Sequence, residues 1–359
     1  MEGNLTVHKN KKILITGITG MVGSHLADYL LKNTKSKIFG LCRWRSPLEN
    51  VEHLINYSKK KNRLEFLYAD LNDFSSVLKC VDKIKPDYIF HLAAQPIVSE
   101  SFKDPVLTWN TNATGTINIL ESVKLLKNKC VVVMITSDKC YLNLNKNSAF
   151  KEEDALGGLD PYSASKGSAE IIIRSYFNSF FNGKMLNIRI ASARAGNVIG
   201  GGDWAKDRLV PDCFKNWRGS KNVTIRNPNA TRPWQHVLDI VHGYIMLAIK
   251  LKENKFVNGN SFNFGPGKNS NHTVLEVLRE IKKSYQKANW KIKKNNVYKE
   301  STFLRLNTQK SKKILKWKSY LNFKKTINYT SSWYKNYFDG KEMSEVTLLQ
   351  IKEMISKIK

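Results

Sequence analysis

The chain predicts an α/β fold, a doubly wound parallel sheet carrying a smaller α/β domain. Three observations predict it. Lys12–Thr16 (KILIT) is a short apolar run that leads into a glycine turn and then an amphipathic stretch. Four more such runs follow, at Lys37–Cys42, residues 64–69, residues 87–92 and Cys130–Ile135, each continuously apolar as strands covered on both faces are. Helical stretches separate them, notably Phe74–Ile84 and residues 108–126, and strand alternating with helix is the signature of a parallel sheet.

The first strand is followed at once by Gly17-Ile18-Thr19-Gly20-Met21-Val22-Gly23. The helix after it places Val22, Leu26, Tyr29 and Leu30 on one side. Strand, glycine turn and helix form the context of a dinucleotide fingerprint, here spaced G-x-x-G-x-x-G. Gly17 permits the turn, Gly20 lets a pyrophosphate approach backbone, and Gly23 lets helix and strand pack closely. Thr16, Gly17, Thr19, Gly20, Met21, Val22 and Gly23 are therefore candidate cofactor residues, facing phosphate with the free N–H groups of a helix start. The second strand ends in Arg43-Trp44-Arg45, where NAD-preferring sheets carry an acid for the ribose 2′-hydroxyl. Two guanidiniums suit a 2′-phosphate, which favours NADP over NAD, with Trp44 placed to cover the adenine.

The apolar fraction of 42% over 359 residues suits one large or two modest domains. The expected division gives residues 1–190 and 235–265 to cofactor binding and residues 191–234 and 266–340 to substrate binding. Residues 341–359 form a helical tail, with Val346, Leu349, Ile351, Met354 and Ile355 as apolar contacts. No run of about 18 apolar residues predicts a membrane span. The first ten residues lack the apolar centre of a signal peptide. Five cysteines show no C-x-x-C pair and no metal spacing, so no metal and a reducing cytoplasm are expected. The formal charge of +29 raises nucleic-acid binding, but the lysines are scattered and no nucleic-acid motif accompanies them. The positive field suits an anionic substrate.

Thr136-Ser137-Asp138-Lys139 closes the fifth strand, and Tyr162-Ser163-Ala164-Ser165-Lys166 follows. Tyr-x-x-x-Lys alone says little here, since it also occurs at Tyr57/Lys61, Tyr320/Lys324 and Tyr337/Lys341. Position selects Tyr162, which follows the helix-start signal Asp160-Pro161 downstream of a strand-end acid. Residues 163–180 read as a helix, on which Tyr162 and Lys166 share a face. A phenol titrates near roughly 10. An ammonium and a nicotinium nearby favour the phenolate, so Tyr162 could take a hydroxyl proton while hydride leaves the same carbon.

Several long strings resemble CDP-glucose 4,6-dehydratases: HLAAQP (from His91), TSDKCY (from Thr136), DPYSASKGSAE (from Asp160), ARAGNVIGGGDWAKDRLVPD (from Ala193) and RNPNATRPWQHVLD (from Arg226). On these residues the chain resembles an extended short-chain dehydrogenase/reductase of the nucleotide-sugar 4,6-dehydratase kind, with a Rossmann-type sheet. Its glycine loop and Arg43-Trp44-Arg45-Ser46 are more similar to the GDP-mannose branch, which uses NADP.

The resemblance implies a reaction in three stages. Tyr162, supported by Lys166, takes the proton of the sugar O4 as hydride leaves C4, with Thr136 bonded near O4. A base then takes the C5 proton while Asp138 protonates the departing C6 hydroxyl. Hydride finally returns to C6. Lys139 holds the position of the C5 base and acts either as a neutral amine or by stabilising the enolate.

The resemblance also places Asp70 and Leu71 at the adenine, and Leu92, Ala93, Ala94 and Asn112 beside the cofactor. Gln95, Ser137, Asn197, Arg208, Arg226 and Arg232 fall on the substrate, with Asn197 and Arg232 at the diphosphate. It implies a homodimer through residues 108–126 and 163–180. His91, Trp234 and His236 read as structural. The favoured substrate is CDP-glucose, then GDP-mannose. A sugar-nucleotide epimerase or oxidoreductase of the same fold, and a non-catalytic binding protein, are the competing readings.

Overall fold

The computed structural model describes residues 11–55, 62–144, 148–183, 185, 187–267, 271–293 and 304–358. The N-terminal ten residues and the Tyr57/Lys61 pair lie outside them. In chain order the principal elements begin with β1 (Lys12–Thr16), α1 (Met21–Asn33), β2 (Lys37–Cys42), β3 (Leu64–Tyr68) and α2 (Phe74–Ile84). Next come β4 (Tyr88–His91), α3 (Gly115–Lys124), β5 (Cys130–Ile135), α4 (Pro161–Tyr176) and β6 (Ile188–Ala195). The remainder are α5 (Leu209–Arg218), α6 (Val237–Glu253), β7 (Ser261–Phe264), α7 (Val274–Ser284), α8 (Phe323–Phe338) and α9 (Met343–Ile358).

The main sheet has seven strands in the order β7-β6-β5-β4-β1-β2-β3, and every pairing in it is parallel. Side chains alternate between two cores, as a pleated strand requires. Ile13 and Ile15 pack with α1 and α6 on one face, while Leu14 packs with α2 and α3 on the other. Val131 and Val133 join the first core, and Val132 and Met134 the second. Strand order reverses between β1 and β4, which leaves a crevice at the carboxyl ends of these strands. A third core, built on Phe214, Trp217, Leu278, Ile281 and Tyr334, belongs to α5, α7 and α8.

Two strands go beyond the sequence reading. β6 runs through Ala195, past the boundary placed at residue 190, and β7 pairs with it at the sheet edge. The run reads poorly because Ser192 and Arg194 interrupt its apolar pattern, yet both are buried. Arg194 is accommodated by an ion pair with Glu170.

The helix expected over residues 108–126 is divided. Pro105–Trp109 is α-helical, Asn110–Thr114 is a widened π turn, and α3 follows. The helix expected to reach residue 180 likewise ends as α4 at Tyr176, followed by a second π turn. α4 starts as its sequence signals: Pro161 occupies the first turn, and the Asp160 carboxylate accepts the Ser163 N–H at 2.9 Å.

The tail helix α9 is docked. Ile351 and Met354 are buried in the core that holds α1, and the Trp333 indole donates to Thr347 Oγ1 at 3.1 Å. Leu349 is 64% exposed, so the expectation of a contact there is corrected: it points away from the face that Ile351 and Met354 bury. Among the described residues no helix is long and apolar enough to cross a membrane, and the five cysteines are free and buried.

Candidate active site

The site gathers where β1, β4, β5 and β6 end. Gly17 adopts φ +71°, and a Cβ there would lie 2.8 Å from the backbone of Ala93. At Gly23 a Cβ would strike the Gly17 carbonyl, so this glycine holds α1 against the turn. Gly20, the N-cap of α1, has no side-chain cap, and no acid stands in the first turn. The space beside it is open, with only the Gly17 carbonyl nearby at 3.4 Å. An uncapped thirteen-residue helix over an open glycine turn fits a pyrophosphate. Thr16 is fully buried, which corrects its assignment as a cofactor contact. Its hydroxyl accepts the Ala93 N–H at 3.1 Å and bonds His91 Nδ1 at 2.8 Å, locking the ends of β1 and β4 together. Met21 is buried and Val22 partly buried against the core, leaving Thr19 and Gly20 on the open side.

At the end of β2, Arg43 and Arg45 are exposed, and the Trp44 ring stands edge-on to Tyr68 at 5.0 Å. Asp70 is exposed at the end of β3, where its carboxylate accepts the Asn72 N–H at 2.9 Å. Leu71 is buried against Gly115. Leu92, Ala93 and Ala94 are half-buried behind β4.

The chemical groups converge after β5. Asp138 to Cys140 form one tight 3-10 turn. The Ser137 hydroxyl donates to Asp138 Oδ1 at 3.0 Å and accepts the Lys139 N–H at 3.2 Å. The same hydroxyl favours the ionised form of the Tyr162 phenol. Ser137 thus acts on both carboxyl and phenol. Asp138 is buried, and burial raises its pKa above the usual carboxylate range against the pull of Lys139 and Arg232. Its carboxyl occupies a notch that exists because residue 196 is glycine: a Cβ there would overlap Oδ2.

Burial pushes the Tyr162 phenol up to about 12, with Ser137 and Arg208 opposing and Asp138 adding to the rise. The expected lowering by Lys166 is absent in the protein alone, because the charges that Lys166 feels are those of Cys140 and Glu170. Burial brings Lys166 down to about 8. The lysines of two competing pairs, Lys324 and Lys341, are exposed. His91 is buried and held near 3 by burial and by Lys166, a neutral packed histidine.

Thr136 is not the hydroxyl beside the phenol. It is buried and donates to Glu170 Oε1, which corrects its expected place near O4. Glu170 sits one turn beyond Lys166 on α4 and also accepts from Ser192 at 2.8 Å, Arg194 at 2.7 Å and Ser261 at 3.2 Å. Arg194 in turn donates to the Tyr141 hydroxyl at 2.7 Å. Burial alone would raise the Glu170 carboxyl, but Arg194 and these donors hold it below its ordinary range. Glu170 and Arg194 escape a reading of motifs; the stripe Tyr162, Lys166, Glu170 at helical spacing is the signal that could find them.

Two expected contacts are occupied elsewhere. Gln95 folds on its own loop, accepting the Ile97 N–H at 2.6 Å and donating to Thr108 Oγ1 at 2.8 Å. Asn112, in the π turn, accepts the Gln95 N–H at 2.8 Å and donates to Ser165 Oγ at 2.9 Å. Both shape the wall of the site rather than present a free amide to a ligand. Among the arginines, Arg208 acts on Tyr162 and pairs with Asp203 at 3.1 Å, and Arg232 acts on Asp138. Arg226 is exposed, with no interaction tying it to the phenol or carboxyl. Asn197 takes φ +49° directly after the Gly196 notch. Trp234 donates to the His272 carbonyl at 2.9 Å, and His236 is buried, both structural.

The model of the GDP-mannose 4,6 dehydratase family matches residues 14–330. The chain belongs to this family. A CDP-glucose 4,6-dehydratase of Salmonella typhimurium is 35% identical over 97% of both chains. A GDP-mannose 4,6-dehydratase of Yersinia enterocolitica is 33% identical over 69% of this chain and 67% of its own. Among solved structures, the epimerase Mth375 of Methanothermobacter thermautotrophicus has a TM-score of 0.80 at 25% identity, covering 92% of this chain and 94% of that one. The dTDP-glucose 4,6-dehydratase of Bacillus anthracis, solved with NAD, has a TM-score of 0.75 at 22% identity, covering 92% and 98%. The fold is the Rossmann-type α/β sheet of extended short-chain dehydrogenase/reductases.

Proposed function

We propose that this 4,6-dehydratase acts on CDP-glucose, with GDP-mannose the next candidate and NADP the cofactor. The observation that carries the dehydratase reading is the buried Asp138 carboxyl, seated in the Gly196 notch within electrostatic reach of the Tyr162 phenol. An epimerase needs the phenol; a buried carboxyl kept toward its acid form serves to protonate a leaving hydroxyl. Similarity to the CDP-glucose enzyme over nearly the whole chain supports that donor. Arg43 and Arg45 support the 2′-phosphate of NADP.

Thr19, Gly20 and the start of α1 would hold the pyrophosphate, Arg43, Asp70 and Leu71 the adenosine end, and Ala93, Ala94, Tyr162 and Lys166 the nicotinamide end. When bound, the nicotinamide supplies a hydride acceptor for C4 and a donor for C6. Tyr162 holds the proton released from O4. Asp138 gives a proton to the C6 hydroxyl as it leaves as water. Lys139 stands at the position of the C5 base, where the C5 proton leaves and returns, and Arg208 and Arg232 face the diphosphate. The site lies at the carboxyl ends of the strands, where closure over a sugar excludes bulk water. The buried free thiols fit a reducing cytoplasm. Exposed Leu107, Trp109 and Ile171 along α4 and the helix before α3 fit a second copy of the chain.

Incubation with CDP-glucose, GDP-mannose, dTDP-glucose and UDP-N-acetylglucosamine tests the reading. Loss of water and a 4-keto product from CDP-glucose are expected. A 4-epimer without loss of water would overturn it.

A further inference from the structure

The segment that follows β6 is tied at two ends to different parts of the molecule. Past the Gly196 notch that holds Asp138, the chain runs through Val198–Ile199 and Gly200, Gly201 and Gly202 into residues 203–208. Its near end is fixed to the third core. The Tyr334 hydroxyl donates to the Asp203 carbonyl at 2.6 Å, and the Trp204 ring packs among Trp333, Tyr334 and Tyr337. Its far end is fixed beside the main sheet, where Ser99 Oγ donates to Asp207 Oδ2 at 2.6 Å. Ser99 belongs to the short helix Val98–Lys103, which follows the end of β4 and packs against α4, the helix of Tyr162 and Lys166.

Asp207 adopts φ +60°, a left-handed backbone that costs free energy for a residue with a side chain, though Asp tolerates it better than most. Lys206 and Asp207 are both exposed, so core packing does not impose this shape. The hydroxyl-to-carboxylate bond with Ser99 is charge-assisted and offsets the cost. The next residue, Arg208, pairs back with Asp203 at 3.1 Å. Residues 203–208 are thus one closed loop, anchored through Asp203 and Trp204 and caught at Asp207.

We propose that residues 203–208 are a strap beside the sugar pocket, that the Ser99–Asp207 bond is its catch, and that the caught strap retains the 4-keto sugar until C6 has been reduced. The inference rests on the dehydratase reading above. Hydride taken from C4 is returned only at C6, so a sugar that escapes between the two events leaves its hydride behind. Each escaped molecule strands one reduced dinucleotide. Retention is therefore a demand of this reaction, and a tie between two parts of the fold that must break before the sugar leaves meets it. Asp207 touches no reacting atom in this role. It is a positioning residue, holding Arg208 in place through the backbone they share.

The test compares wild type with Ser99→Ala, Ser99→Thr and Asp207→Gly, the last of which keeps the left-handed backbone without the carboxylate. One readout is the absorbance of reduced nicotinamide that accumulates per molecule of 4-keto-6-deoxy product. The other, for the two Ser99 variants, is the rate of trypsin cleavage after exposed Lys206 in protein free of nucleotide sugar, followed by mass spectrometry. The catch predicts that Ser99→Ala and Asp207→Gly strand reduced cofactor roughly three- to tenfold more often per product, and that Ser99→Ala is cut roughly three- to tenfold faster, the worth of one hydrogen bond. Ser99→Thr keeps the hydroxyl and should match wild type in both. Ser99→Ala that equals wild type in either readout would overturn the proposal while leaving the dehydratase standing. Wild type that makes no 4-keto product from any nucleotide sugar would remove the dehydratase reading and the retention with it, whereas faster cleavage of Ser99→Ala would survive as evidence of the catch.

Discussion

Glu170 and Arg194 form an ion pair of 2.7 Å inside the protein, at 2% and 3% exposure. The pair stands directly behind the catalytic turn, because the same carboxylate holds Thr136 at the end of β5 and lies one helical turn from Lys166. It ties α4, β5, β6 and β7 into one rigid floor.

Removal of one partner leaves a buried charge with no counterpart. Glu170→Gln and Arg194→Met should each lose about 3–5 kcal/mol of stability, measured by urea unfolding. The double variant Glu170→Leu/Arg194→Met should recover only part of that loss, because Thr136, Ser192 and Ser261 lose an acceptor as well. The folded Glu170 carboxyl is held below its ordinary value. Its contribution is therefore present above the unfolded pKa of roughly 4.3 and lost as pH falls below that. Wild type should lose stability on acidification more steeply than the double variant.

The glycine at 196 exists for Asp138. A methyl group there would overlap the carboxyl and drive it out of its notch. Gly196→Ala should therefore cut dehydration by about 10²–10⁴-fold, the usual worth of a positioned acid. Tyr162 and Lys166 are untouched, so C4 oxidation should persist. Reduced nicotinamide would accumulate on addition of the nucleotide sugar, which absorbance reads directly. Full dehydratase activity in Gly196→Ala would show that the carboxyl does not act from this position.

Cofactor choice turns on the end of β2. If Arg43 and Arg45 hold a 2′-phosphate, Arg43→Ala/Arg45→Ala should weaken NADP roughly ten- to a hundredfold per contact while NAD affinity stays level. Calorimetric titration of both dinucleotides measures this. Equal affinity of wild type for NAD and NADP would make the two arginines ordinary surface residues.

How much of this was legible follows from where periodicity holds. β1, β2 and β5 match the sequence reading end for end because continuous apolar runs under two layers of helix have little else to become. β6 was not among the strands read, because Ser192 and Arg194 look like a loop until their buried partner Glu170 is known. Tyr162 and Lys166 were legible from their place after Asp160-Pro161. The place of Thr136 was not legible: past β5 the chain stays extended, so Thr136 and Ser137 face opposite ways, Thr136 to Glu170 and Ser137 to Asp138. Gln95 and Asn112 carry the right chemistry for ligands, yet the Asn112 amide is taken by the Gln95 backbone and Ser165, and the Gln95 amide by Ile97 and Thr108. No spacing rule reveals that.

Lys166 gives the pH dependence its basic side. Burial lowers this amine to about 8, so it is an ammonium below that pH and neutral above it. The ammonium is the form that can hold the nicotinamide ribose and favour the phenolate once the site is filled. kcat/KM should therefore fall as pH rises through about 8. Lys166→Arg keeps a charge at all accessible pH and should lose this limb, at a lower overall rate because the guanidinium fork does not match a point contact. A wild-type profile flat through this range, or an unchanged limb in Lys166→Arg, would assign the limb to another group.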